Sequence, residues 1–197
     1  MDSPFFTEVV PALAMAIGLA ACAGLRAWLP LFLAGALARL GVIDIGESFR
    51  FVASDRALIL FGVATLIEIA GDKIPAIDHA LDALSTVLRP AAGSLLAAAV
   101  IGHVTDPLTA SVLGIAVGAP SSLVPHAAKT SVRAISTALT GGIANPFVSL
   151  LEDMAALVLF AFTVAVPLLV VLALLMVGVV IARRLLRRRP GAALRTT

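Results

Sequence analysis

Ionisable side chains set inside apolar sequence are the first candidates for chemistry in this 197-residue chain. Arg26 has apolar residues on both sides, within the stretch Val9 to Leu40. A charge held among hydrocarbon is costly unless a partner, water or a cargo meets it, so such residues mark functional sites by default. The planar guanidinium of Arg26 suits the clamping of an anionic headgroup. Its plainer roles are snorkelling to the headgroup level or pairing with Glu68 or Glu152. Glu68 and Asp72 stand four residues apart, so on a continuing helix their carboxylates share a face. With the adjacent Lys73, and with Glu152, they form a candidate set for proton or ion coupling; the alternative is an ion-paired helix end at the water boundary. Arg89, Lys129 and Arg133 complete a candidate basic substrate pocket with Arg26. Lys129 and Arg133 are four apart and share a helix face. For Arg89 an anchor at the membrane interface is the plainer reading.

Two further groups carry weaker signals. Asp72, Asp78 and Asp82, with His79 nearby, are the densest acidic cluster and the candidate metal site, in the manner of carboxylates that hold Mg²⁺ against a phosphate. Asp78 and Asp82 serve equally well as the solvated face of an amphipathic helix. His103 and Asp106 are three apart and could relay protons or supply half of a metal site. Two residues fall short of a ligand set, and the flanking Gly102 and Pro107 favour an ordinary turn. Gly-x-Ser-x-Gly, His-Glu-x-x-His and Gly-x-x-x-x-Gly-Lys patterns are all absent, so no catalytic residue is assigned. Cys22 is the sole cysteine, which excludes an intramolecular disulfide and a Cys-based zinc site. No cofactor is expected.

The elements that must position these residues are membrane helices. Hydrophobic residues make up 60% of the chain and charged residues only 13%, with a mean hydropathy of +1.09. Soluble domains are nearer half apolar and a quarter charged. The charges are also uneven: residues 1–182 hold all 12 acids but 8 Lys and Arg, whereas the last fifteen residues hold 6 Arg and no acid. That basic tail predicts attraction to anionic lipid headgroups. Nucleic acid is not an expected partner, because a basic folded module with interleaved aromatics is missing.

Read in order, Val9 to Leu40 exceeds the ~20 residues that cross a bilayer. Gly24, Arg26 and Pro30 interrupt it, which favours two short helices meeting at a bend over one kinked helix. A polar loop is expected over Gly41 to Arg56, then a short helix over Ala57 to Ala70, stopped by Gly71-Asp72-Lys73-Ile74-Pro75. Ala76 to Leu88 has the three-and-four spacing of an amphipathic helix. Ala91 to Gly118 is a second overlong stretch, cut by Gly102 to Pro107. Two interrupted stretches of similar layout point to a weak internal duplication and to a transporter-like site. Met154 to Ala182 reads as one charge-free span, with the Arg-rich end placed in the cytoplasm by the positive-inside rule. The expectation is an all-α polytopic protein with four to six transmembrane or half-membrane helices. One integral membrane domain covers 1–182, and a basic cytoplasmic tail without packed structure covers 183–197. The N-terminal residues lack the basic start of a signal peptide, so the first span is read as retained.

Gly24-Leu25-Arg26…Pro30, Glu68…Asp72-Lys73-Ile74-Pro75…Asp78, Arg89-Pro90…Gly93, Lys129…Arg133 and Gly141-Gly142…Asn145-Pro146…Glu152-Asp153 together resemble an uncharacterised bacterial family of small integral membrane proteins, a domain of unknown function. The likeness covers about residues 10–182 and implies a bacterial inner-membrane setting and one domain; it implies no activity. A looser analogy, on Arg26…Pro30 and Glu68…Pro75, is to the DedA-type lipid carriers. Three functions follow from the residues: a transporter or lipid/anion translocase with a buried basic and acidic site, a structural or assembly subunit of a membrane complex, and a membrane-embedded lipid-phosphate enzyme. The first is favoured. Membrane lipids are the expected partners, and a homo-oligomer is compatible with so small a chain.

Overall fold

The computed structural model describes residues 5–72 and 75–187, without the side chains of 75–83, 181 and 185–187. Among the described residues the chain is helical throughout, with eight α-helices and no strand. Lipid offers backbone groups no hydrogen bonds, and a helix satisfies its own. The helices are α1 (Val10–Leu25), α2 (Trp28–Arg39), α3 (Asp55–Gly71), α4 (Pro75–Ile101), α5 (Pro107–Leu113), α6 (Ala119–Thr140), α7 (Asn145–Ala165) and α8 (Pro167–Arg187). Among the described residues five stretches are long and apolar enough to cross a membrane: 5–25, 84–101, 107–140, 145–165 and 167–184.

Helix α1 is the central post. Ala16, Leu19, Ala20, Cys22 and Ala23 are wholly buried, and α4, α6, α7 and α8 all pack on it. Its run of Ala and Gly lets neighbouring backbones approach closely, which stands in for the hydrophobic drive that lipid does not supply. One such close approach is between α4 and the π-helical turn Gly114–Gly118 that joins α5 to α6. A Cβ on Gly118 would lie 2.4 Å from the carbonyl oxygen of Gly93. Outward faces carry exposed Leu, Ile and Val, such as Ile59, Leu66, Leu151 and Leu175, as lipid contact requires.

The first overlong stretch divides into α1 and α2, as its Gly, Arg and Pro predict. Had the helix continued, the ring of Pro30 would strike the carbonyl four residues back, on Arg26. Arg26 instead adopts extended backbone (φ −137°, ψ 121°), and α2 begins two residues later with Pro30 in its first turn. Helices α2 and α3 form a hairpin. At its tip Arg39 pairs with Asp55, next to a 3₁₀ turn over Glu47–Ala53 within the expected loop. At its open end Trp28 meets Glu68.

Three boundaries differ from the sequence reading. The amphipathic segment does not stop at Leu88: α4 runs on through Pro90 to Ile101. Ala91 to Gly118 is therefore not one interrupted span. Its halves belong to α4 and to a continuous rod from Pro107 to Thr140, and its interruption is a turn, unlike the extended break at Arg26. Met154 to Ala182 is two helices, because Pro167 disfavours helical backbone at the preceding residue and Val166 departs from it (φ −146°, ψ 68°). Helix α8 also continues past Ala182 to Arg187. Residues 188–197 lie outside the described residues, as do Lys73 and Ile74.

Candidate functional site

The break after α1 leaves the first backbone N–H groups of α2 without helical acceptors. A carboxylate takes them: Ala27 N–H donates to Oε1 of Glu68 at 3.0 Å and Trp28 N–H to Oε2 at 3.2 Å. The positive end of the α2 dipole favours that negative group. Glu68 reaches it because it sits in the last turn of α3, the returning arm of the hairpin.

One turn further on, Asp72 ends α3 and anchors a wider cluster. Its Oδ2 accepts from Arg26 Nη1 at 2.5 Å, Lys129 Nζ at 3.2 Å and Arg133 Nη2 at 3.0 Å. Glu152 on α7 takes Arg133 in a two-pronged pair, Nε to Oε1 at 3.1 Å and Nη2 to Oε2 at 2.9 Å, and meets Lys129 at 3.1 Å. Such forked pairs are the strong form of charged hydrogen bond. Arg26 Nη2 adds Ser149 Oγ at 3.0 Å and Asp153 Oδ1 at 2.5 Å, both from α7. Arg26 Nε has no acceptor among the described residues.

Arg89 approaches from α4. It donates to the Gly24 carbonyl at 3.0 Å and meets His126 Nδ1 at 2.8 Å, with Glu68 Oε1 4.0 Å away. A guanidinium has no lone pair to offer, so in this contact it donates and Nδ1 accepts. Arg89 is 1% exposed and Arg26 0%, which rules out the interface-anchor role for the first and snorkelling for the second.

Among the described residues, four cations and four carboxylates thus meet inside the bundle, brought there by the α1–α2 break, the end of α3, and the interiors of α4, α6 and α7. Arg26, Glu68, Asp72, Arg89, Lys129, Arg133 and Glu152, all singled out by sequence, converge. Lys73 and the side chains of Asp78, His79 and Asp82 lie outside the described residues; of the metal candidates Asp72 is described, and its Oδ2 faces three cations. No group of three His, Cys, Asp or Glu arranged for a metal occurs among the described residues. His103 and Asp106 form the expected turn. Asp106 caps α5 through Leu108 and Thr109 N–H groups at 3.1 and 3.0 Å, and His103 Nδ1 meets its neighbour's carbonyl, Val100 O.

Sequence reading did not assign Asp153, Ser149 or His126 to the site. The signal was present: His126, Lys129 and Arg133 recur at three and four along α6, and Ser149 precedes Glu152 and Asp153 by three and four along α7. Each set makes one helix face.

Burying ion pairs in a low dielectric gains little net stability over apolar packing, while removing one partner is strongly destabilising. Removing any one of these charges therefore leaves its partners buried and uncompensated.

The family described as a domain of unknown function (DUF4126) matches residues 13–188. No curated protein and no solved structure matches the chain.

Proposed function

We propose that this chain, which belongs to the DUF4126 family, is a multi-pass membrane carrier that moves an anionic cargo together with a proton. The observation that carries the reading is the buried cluster, with four cations and four carboxylates among the described residues, gathered at a broken helix inside helices otherwise fit for lipid. Broken helices that aim their ends at a central site are the recurring binding device of secondary transporters. The cost of adding net charge to a buried cluster supplies the coupling. In a poorly solvated interior one unpaired charge is expensive, so an anion enters readily only when a carboxylate takes up a proton. Glu68 is the carboxylate best placed to do so. Asp72 touches three cations, Glu152 two and Asp153 one at 2.5 Å, whereas Glu68 is held by two backbone N–H groups with Arg89 at 4.0 Å. Once neutral, Glu68 releases the α2 N-terminus, and Arg26 and Arg89 face the incoming charge. Residence in the cell membrane with the Arg-rich end cytoplasmic belongs to the same proposal and rests on the positive-inside rule.

Purified protein in proteoliposomes tests it. Chloride, phosphate and a small carboxylate are offered in turn, counting only flux above protein-free vesicles. At least one enters faster, and Arg26→Ala and Arg133→Met stop it while still inserting and eluting as the parent does. Wild-type flux in both variants, or no flux of any of the anions, removes the carrier reading and leaves a structural subunit.

A further inference from the structure

The arrangement around Glu68 also says what kind of anion fits. A planar group with two oxygens, each taking one N–H, already occupies the α2 N-terminus, at 3.0 and 3.2 Å. The same two residues, Ala27 and Trp28, line a cavity of about 180 Å³ completed by Leu31, Phe61, Leu88, Ala92 and Leu95, with Ala91 at its exposed rim. The wall is apolar throughout. Leu88 and Ala92 lie beside and one turn beyond Arg89 on α4, and Phe61 lies two turns before Glu68 on the same face of α3. The Trp28 and Phe61 rings stand 6.1 Å apart at one side. For comparison, an apolar cavity of about 150 Å³ accepts benzene. The two residues that hold the carboxylate thus also border space for a small hydrocarbon group.

We infer that the cargo is a small carboxylate with an apolar tail, of branched-chain or single-ring size. Its carboxylate replaces that of Glu68 on the Ala27 and Trp28 N–H groups, and its tail fills the cavity between Trp28, Phe61 and Leu88. The inference rests on the carrier reading for its meaning, but its test reads binding alone. Glu68 acts as the resident anion in the empty state, and the cargo competes with it.

Trp28 is the only tryptophan in the chain, so its emission reports occupancy of the cavity. Isovalerate, acetate, isoamyl alcohol and inorganic phosphate are titrated into the full-length protein in micelles at one pH. Isovalerate shifts the emission saturably. Acetate binds about 50-fold more weakly, since each of three further buried carbons contributes roughly 0.8 kcal/mol. The alcohol, lacking the second oxygen and the charge, and phosphate, lacking the tail, give no shift in the same range. Glu68→Gln tightens isovalerate at least about tenfold, because a neutral amide competes less well for the helix terminus than a carboxylate does. Ala92→Leu fills the cavity and abolishes the response; Ala91→Phe, at the rim, does the same with less risk to folding, which elution and melting confirm. Acetate binding as tightly as isovalerate, phosphate competing with it, or an unchanged response in Ala91→Phe overturns the inference. Binding as described without proteoliposome flux leaves the inference standing and sinks the carrier; flux of chloride or phosphate without isovalerate binding does the reverse.

Discussion

Neutralising Asp72 removes the one carboxylate oxygen on which Arg26, Lys129 and Arg133 converge. Asparagine keeps the shape and a carbonyl acceptor, so the lost quantity is the charge. Three charged hydrogen bonds at about 1.5–3 kcal/mol each do not add when they share a single atom. The governing magnitude is that of breaking a buried ion pair, about 3–5 kcal/mol. Asp72→Asn should therefore destabilise the protein by about 3–5 kcal/mol in reversible unfolding by SDS in mixed micelles. The control is Asp55→Asn, which unpairs Arg39 where both side chains are more than half exposed; exposed pairs contribute under about 1 kcal/mol. Adding Lys129→Met to Asp72→Asn removes a cation along with the lost anion, so the double variant should recover about 1–3 kcal/mol relative to the sum of the singles. An Asp72→Asn effect no larger than that of Asp55→Asn, or strict additivity with Lys129→Met, would refute the view that these charges form one buried, coupled set.

Two further expectations concern the scaffold. Gly118→Val places side-chain atoms where the Gly93 carbonyl and Ser94 Cα already stand, at 2.4 and 2.8 Å from the added Cβ. Both neighbours are backbone, so α4 must move, and melting of the purified protein should fall sharply; Gly178→Ala, with nothing within 4 Å, should match or slightly exceed wild type. At Asp106, outside the spans, hydrogen bonding from Thr109, side chain and then backbone, holds the carboxyl below the usual carboxylate range. Its folded value is depressed, so its capping contribution is present above the unfolded value of about 3.9 and is lost as pH falls through the folded one. Exchange of the Leu108 and Thr109 amides, corrected for intrinsic rate, should rise in that acid window in wild type and be raised throughout in Asp106→Ala.

Much of this site was legible in the sequence because charge inside apolar helices is rare and has few explanations. Arg26 with Gly24 and Pro30 announced the break, and the four-residue spacings of Glu68 with Asp72 and of Lys129 with Arg133 announced shared faces. The carboxylate that meets Arg26 most closely is another matter. Sequence offered Glu68 or Glu152; the structure supplies Asp72 and Asp153, with Glu68 turned to the α2 backbone instead. Which of several acids meets a given base depends on how helices cross, and spacing along one helix says nothing of that. Arg89 was misjudged for a related reason: Arg-Pro reads as a helix boundary, yet α4 passes through Pro90 and carries Arg89 inward. Pro167 was the opposite error, overlooked in an apolar run although it fixes the break at Val166. Asp153 and His126 were hidden by adjacency, one beside an acid already named and the other beside a proline.

The most direct measurement is proton uptake on anion binding, followed with a pH indicator in weakly buffered micellar protein as isovalerate and then chloride are added. A buried cluster that holds its net charge constant predicts about one proton taken up per monovalent anion bound, and none in Glu68→Gln. Anion binding without proton uptake in the wild type, or equal uptake in Glu68→Gln, would contradict the account.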